Sequence, residues 1–111
     1  MGDMEMMLSP DEVNSIVLDA AESAAGRNGL TISAAALDKL VHKGLPALNR
    51  ANESGELARR REEVARNTAA LIERIHQVQM AGQPGEISGT HMAQGLFDLC
   101  RYFPDFFPFC P

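Results

Sequence analysis

Four small groups of residues have a type and spacing that chemistry could use. Glu73 and His76 show the Glu-x-x-His spacing of di-iron helical bundles. Such a site needs a second copy of the motif and two further inward-facing glutamates. The sequence has one copy, and its glutamate falls on the polar side of the predicted helix. The pair is therefore interpreted as a surface glutamate and histidine, and we predict no bound metal and no cofactor.

The second and third groups are a possible nucleophile and a charged pair. His91, Asp98 and Cys100 raise the possibility of a Cys–His nucleophile. Nothing in the sequence supplies an orienting third group or an oxyanion hole, and Cys100 lies at an apolar helical position, where cysteine packs as a small hydrophobe. Asp38 and His42 are four residues apart and form an ordinary helical ion pair. We therefore expect that the protein is not an enzyme.

The fourth group, Arg59–Arg61, could contact a phosphate backbone. Glu56, Glu62 and Glu63 dilute its charge, and the whole chain carries a net charge of -5. An acidic chain is a poor general ligand for nucleic acid or for an anionic membrane. The arginines are therefore interpreted as a solvated face, and a nucleic-acid-associated module of histone-like topology is kept as an alternative.

The compartment is predicted from the N-terminus and the cysteines. Met1–Leu8 is acidic where a signal peptide needs a basic start, and no apolar run approaches membrane-spanning length,. Cys100 and Cys110 lie far from any Cys-x-x-Cys spacing. These features favour a cytoplasmic protein with reduced thiols and no membrane association.

The longest predicted element is one helix over Glu56–Ala81, which contains neither glycine nor proline. Its apolar seam repeats every seven residues, at Leu57, Val64, Leu71 and Val78,. A helix of this length spans roughly 37 Å, whereas a domain of this size has a radius of gyration of about 13 Å. Because the seam reaches the end of the helix, we predict a homodimer through Leu71, Ile75 and Val78.

Three further helices are predicted from their start signals. Ser9, Ser33 and Ser88 each stand at an N-cap position, and Glu12 completes a capping box with Ser9. Gly44 and Pro46 are expected to interrupt the second helix. The following residues then form either a short helix, Ala47–Asn52, or one helix that runs through Gly55 to Ala81. Thr31-Ile32 and Glu86-Ile87 could pair as a very short strand between loops.

The C-terminus concentrates the aromatic residues, since all five phenylalanines and the single tyrosine lie between Phe97 and Phe109. Three prolines oppose a helix after Phe103. The sequence therefore predicts an extended apolar tail over residues 103–111. The tail either fills the protein's own core or inserts into a groove of a partner.

Together these patterns predict a single all-α domain over residues 1–111, with four or five helices around one long central helix and a flexible segment at residues 1–8. Size, acidity and the lack of a chemical site indicate a small protein that binds another protein. In these features the chain resembles the small bacterial antiactivators that sequester quorum-sensing transcription regulators. The resemblance, which is one of general type, implies a stoichiometric regulator; a secretion chaperone is the alternative of the same physical class. The predicted contact residues are Arg59, Arg66, Leu71, Ile75, Val78, Phe103, Phe106 and Phe107.

Overall fold

The computed structural model describes residues 7–110, apart from the side chains of residues 43–45. The chain is mostly helical, as predicted. Its helices are α1 (Pro10–Arg27), α2 (Ala34–Glu53), α3 (Glu56–Arg59), α4 (Arg61–Arg74) and α5 (Gly89–Tyr102), with a π-helical segment, Ile75–Gln79, after α4. The strands are β1 (Leu30–Ile32) and β2 (Gly85–Ile87). Most of the segment predicted to be flexible, residues 1–6, lies outside the described residues. Leu8 is held by two hydrogen bonds to Asn52, of 2.8 and 2.9 Å.

The three predicted helix starts are confirmed by their caps. The Ser9 hydroxyl accepts from the main-chain N–H of Glu12, and the Glu12 carboxylate accepts from the N–H of Ser9. Ser33 caps α2. Ser88 caps α5 in the same reciprocal manner, with the Nδ1 atom of His91 accepting from the Ser88 N–H at 3.2 Å. His91 thus acts as the second member of a capping box.

The predicted strand pair is also confirmed. β1 and β2 run parallel, with Thr31 opposite Glu86 and Ile32 opposite Ile87. The N–H of Ser33 continues the pairing by donating to the carbonyl of Ile87. The pair ties the loop between α1 and α2 to the loop between α4 and α5. The order helix–strand–helix therefore occurs twice along the chain.

The prediction that Gly44 and Pro46 interrupt the second helix is wrong. α2 continues through both residues to Glu53. Proline in a helix interior removes a hydrogen bond and costs about 3 kcal/mol. Pro46 is exposed, whereas Ala47 and Leu48, which follow it, are buried in the core. Burial of these neighbours offsets the cost of the proline.

The single helix predicted over Glu56–Ala81 is divided, so neither version of a continuous long helix is correct. Gly55 has a left-handed conformation, with φ 82°, and so separates α2 from α3. Arg60 leaves helical geometry at φ -111° and ψ 30° and separates α3 from α4. After Arg74 the chain widens into the π-helical segment. Ala81, at φ 51°, is followed by Gly82, at φ 75°, and the two residues turn the chain toward β2.

The core lies between two pairs of helices, because α1 packs against α4 and α2 packs against α5. Apolar residues from every helix are buried in it, among them Val17, Leu40, Leu57, Val64, Leu71 and Met92. α5 comes close to the π-helical segment at Gly95, where an added Cβ would stand 2.5 Å from the Cγ1 atom of Ile75. The whole described chain has a radius of gyration of 13.6 Å.

Candidate protein-binding surface

The C-terminal residues form a closed loop rather than an extended tail. A disulfide joins Cys100, in the last turn of α5, to Cys110, and their Cα atoms are 5.4 Å apart. Between them the chain makes two turns, in which the N–H of Phe106 donates to the carbonyl of Phe103 and the N–H of Phe109 donates to that of Phe106. We call residues 100–110 the aromatic loop.

The disulfide corrects the prediction of reduced thiols and also rules out Cys100 as a nucleophile in this state. The sequence does not suggest this bond, because the two cysteines lie ten residues apart and the intervening prolines favour an extended chain. Disulfides persist in oxidising surroundings. The argument from thiols for a cytoplasmic location therefore no longer holds, and that location stays a prediction.

The aromatic loop runs back along one side of α4. At its start, the Arg74 guanidinium carbon is 5.6 Å from the centre of the Phe103 ring. Further along, the Asn67 side-chain amide donates a 2.6 Å hydrogen bond to the carbonyl of Phe107. The guanidinium carbon of Arg60 lies only 3.7 Å from the Phe107 ring centre. Three residues of the α4 region thus hold the loop in place.

The inner side of the aromatic loop belongs to the protein's own core. Phe109 is 4% exposed, Pro108 is buried, and the rings of Phe106 and Phe109 stack with centroids 6.4 Å apart. Phe106 and Phe107 are half-buried and pack against the core. Of the two alternatives predicted for the tail, the first describes this inner side, whose rings fill the protein's own core.

The outer side of the aromatic loop exposes two aromatic rings to solvent. Tyr102 is 63% exposed and Phe103 is 50% exposed. Arg74 lies beside both rings, with its guanidinium carbon 6.0 Å from the Tyr102 centre, and Arg101 lies 5.9 Å from the same ring. Val78, 60% exposed, follows Arg74 by four residues on the same helical run. We call Arg74, Val78, Arg101, Tyr102 and Phe103 the aromatic–arginine surface.

The predicted seam residues are divided between the core and this surface. Leu71 and Ile75 are fully buried at 0% exposure inside the protomer. Their side chains have no area left for a second copy or a partner, so the homodimer seam drawn through them is wrong. The seven-residue repeat marked the side of the helix that faces the chain's own core. Val78 alone of the three reaches solvent, because the π-helical segment rotates it away.

Arg59 precedes α4 and Arg66 lies in its first half, whereas Arg74 of the aromatic–arginine surface ends the helix. Arg59 and Arg66 line an open hollow of about 430 Å³ together with Ala58 and with charged neighbours of both signs: Arg60, Arg61, Glu62 and Glu63. Arg60 donates two hydrogen bonds of 2.8 Å to the Glu63 carboxylate. These bonds lower the pKa of Glu63 and raise that of Arg60. The hollow is therefore rich in arginine, and the Glu63 carboxylate neutralises part of its positive charge.

The side-chain positions test two other interpretations made from the sequence, those of the Asp38–His42 pair and of the Glu73–His76 pair. Asp38 and His42 form the expected exposed pair, 3.0 Å apart. His76 is not a surface residue, because it is 8% exposed and its two ring nitrogens have no hydrogen-bond partner among the described residues. Glu73, by contrast, is exposed, as expected. Over residues 7–110, no three His, Cys, Asp or Glu side chains gather as metal ligands.

The comparisons with known proteins found no match among family models, curated proteins or solved structures. Within the described part of the chain, no helix combines the length and apolar character needed to cross a membrane.

Sequence reasoning missed three members of the aromatic–arginine surface: Arg74, Arg101 and Tyr102. Arg74 and Tyr102 are 28 residues apart, and only the close approach of the α4 run to α5 places them together. One signal was available, since Arg101 and Tyr102 stand directly before Phe103 in the only aromatic-rich stretch of the chain. Arginine, tyrosine and phenylalanine are the residues in which protein interfaces are enriched.

Proposed function

We propose that this protein is a small regulator that acts by binding another protein, and that the aromatic–arginine surface is its contact site. The observation that carries the proposal is the solvent exposure of Tyr102 and Phe103 beside the guanidinium of Arg74. Tyrosine and arginine dominate the residues whose loss most weakens protein complexes. Exposed aromatic rings grouped with arginine are typical of surfaces that bind other proteins.

The rigidity of the aromatic loop supports the same proposal. The loop is closed by the disulfide, anchored by Phe109 in the core and tied to α4 by Asn67. A contact surface that is already ordered loses little conformational entropy on binding, and this favours affinity. Tyr102 and Phe103 are therefore attached to a backbone that is already ordered, as in other interfaces with rigid aromatic anchors.

The partner that we propose is a transcription regulator, sequestered as in the antiactivators that the chain resembles. A secretion chaperone would use a surface of the same kind, and identification of the partner separates the two. The surface carries two arginines, Arg74 and Arg101, around its rings. A fitting partner presents apolar side chains at the centre of the contact and carboxylates at its rim.

The test is capture of the partner from the native host with matched variants. The oxidised protein is immobilised beside a Tyr102→Ala/Phe103→Ala variant and a Phe97→Ala variant. Phe97 is an ideal control because it lies on the same helix and is 62% exposed, yet it lines a different hollow, with Lys39 and Thr90. We expect one protein to be retained by the native chain and by Phe97→Ala, and to be lost from the double variant.

Two outcomes would overturn the proposal. A captured protein that binds all three baits equally does not use this surface. A captured protein that is lost only from Phe97→Ala places the contact at the groove between α2 and α5. In either case the identity of the captured protein remains informative, because a transcription regulator and an exported protein distinguish the two kinds of binding partner.

A further inference from the structure

We propose that the Cys100–Cys110 disulfide is a redox-responsive latch that holds the aromatic loop in its binding conformation. The inference concerns regulation of the surface described above, and in its binding part it rests on the proposed function. Its structural part stands alone. The disulfide closes the loop at the point where α5 ends, directly before the exposed residues Arg101 and Tyr102.

Only a few contacts hold the last residues of the aromatic loop once the disulfide is open. The last residues of the loop are held by the burial of Phe109, by the hydrogen bond from Asn67 and by the stacking of Arg60 on Phe107. All three contacts lie between residues 107 and 109. Residues 103–106 contribute main-chain turns, the exposed Phe103 ring beside Arg74 and the half-buried Phe106 ring, which stacks on Phe109. A cross-link removes conformational freedom from the open loop, so its loss favours opening.

The disulfide lies near the protein surface, since Cys100 and Cys110 are both intermediate in exposure and not buried. Thiol–disulfide exchange needs a thiolate that approaches one sulfur directly. The bond is therefore placed where a reductant can act without prior unfolding of the helices.

The chemical step needs a dithiol as co-reactant. A thiolate of the dithiol attacks one sulfur of the disulfide, which forms a mixed disulfide and releases the other cysteine as a thiolate. The second thiol of the dithiol then attacks the sulfur that the dithiol contributed to the mixed disulfide. This closes the cyclic disulfide and releases the second cysteine as a thiolate. The protein gains two electrons and two protons, and the dithiol becomes a cyclic disulfide. Two cysteines are left, and the aromatic loop is no longer closed.

The consequence is that Phe103 loses its fixed place in the aromatic–arginine surface, whose other residues lie in helical segments. Phe103 stands at the C-terminal end of α5, and its carbonyl accepts a hydrogen bond from the loop residue Phe106. When the loop opens, the N–H of Phe103 still donates to the carbonyl of Leu99, but the turn to Phe106 is lost, so the Phe103 ring is held less firmly beside Arg74. A partner then has to order the loop as it binds, and the entropic cost lowers the affinity. Oxidation switches binding on, and reduction weakens it.

Limited digestion with chymotrypsin tests the latch without a partner. The Phe106–Phe107 bond lies inside the loop, whereas Phe97 in α5 reports on unfolding of the whole chain. Oxidised protein and protein kept in dithiothreitol are digested, quenched and fully reduced before the peptides are weighed. We expect cleavage after Phe106 to be up to about a hundredfold faster in the reduced protein, in line with the lost loop-closure entropy, and cleavage after Phe97 to stay slow.

The Cys100→Ser/Cys110→Ser variant is the matched control. It should be cleaved as fast as the reduced native chain, and dithiothreitol should not change its rate. Equal cleavage of the oxidised and reduced proteins after Phe106 overturns the latch, because the remaining contacts then hold the loop. A parallel rise after Phe97 also overturns it, since the disulfide then stabilises the whole fold and not the loop.

Capture of the partner separates the two proposals. If the oxidised protein binds through Tyr102 and Phe103 and the reduced protein binds at least tenfold more weakly, both proposals are supported. Equal binding by both forms leaves the proposed function intact and contradicts the regulation. Digestion that shows an opening loop, with no partner bound through Tyr102 and Phe103, contradicts the proposed function and the regulatory role but retains the latch itself.

Discussion

The side-chain amide of Asn67 donates a 2.6 Å hydrogen bond to the main-chain carbonyl of Phe107, forty residues further along the chain. This bond joins α4 to the aromatic loop, next to the point where the Arg60 guanidinium covers the Phe107 ring. The contact has no local sequence signal, yet it sets the path of the loop along α4.

The first prediction removes that bond. Asn67→Ala should lower the free energy of unfolding by about 1 kcal/mol, because a half-buried carbonyl loses its partner. Urea denaturation followed by circular dichroism measures the change. Asn49→Ala, at an exposed position of α2, is the control and should leave the denaturation midpoint within error. An unchanged midpoint in Asn67→Ala would show that the loop is held without this bond.

The second prediction concerns the close contact between α5 and the π-helical segment. Gly95→Ala places a Cβ atom 2.5 Å from Cγ1 and 2.8 Å from Cδ1 of the fully buried Ile75. Overpacking of this kind costs about 1–3 kcal/mol. Gly26→Ala, with no heavy atom within 4 Å of the added Cβ, should be neutral or slightly stabilising. Equal melting temperatures for the two variants would contradict the packing described at Gly95.

The third prediction is an acid dependence that arises from Glu63. Its hydrogen bonds with Arg60 lower its pKa below the ordinary value of 4.5 in the folded protein. The unfolded chain therefore binds a proton more readily. The stabilising contribution is fully present above pH 4.5 and is lost as the pH falls through the lower folded value. Glu63→Gln should flatten the fall in the urea midpoint over this range, and an unaltered slope would show that the ion pair is not formed in solution.

The fourth prediction uses the buried imidazole of His76. Neither ring nitrogen has a partner among the described residues, and a buried polar group without a hydrogen bond costs about 1–3 kcal/mol,. His76→Leu removes both nitrogens and keeps an apolar side chain in the core. It should raise the free energy of unfolding by about 1 kcal/mol. A lower stability would mean that the imidazole has a hydrogen-bond partner, such as a bound water.

Local signals predicted the parts of this fold that depend on a few neighbouring residues. Ser9, Ser33 and Ser88 were found because a cap involves residues only three apart. The strand pair between Thr31-Ile32 and Glu86-Ile87 was also anticipated, since both segments directly precede a cap. These features need no knowledge of what packs against them.

The parts that depend on distant contacts were not predictable in the same way. The apolar repeat at Leu71 and Ile75 correctly marked a packing face, but periodicity does not state whether α1 and α5 or a second copy covers it. The break at Arg60 is supported by Glu63 and by Phe107, which comes from the other end of the chain. The continuity of α2 through Pro46 follows from burial of the residues after it.

Hydrogen–deuterium exchange measures most directly whether a partner protein covers the aromatic–arginine surface. Exchange of the oxidised protein is compared alone and with the partner identified by capture. We predict slower exchange on binding in the segment that ends α5 and begins the aromatic loop, residues 99–106, and at residues 74–80. The arginine-rich hollow around Arg59 and Arg66 should be unchanged. Protection confined to that hollow, with none at residues 99–106, would contradict the account.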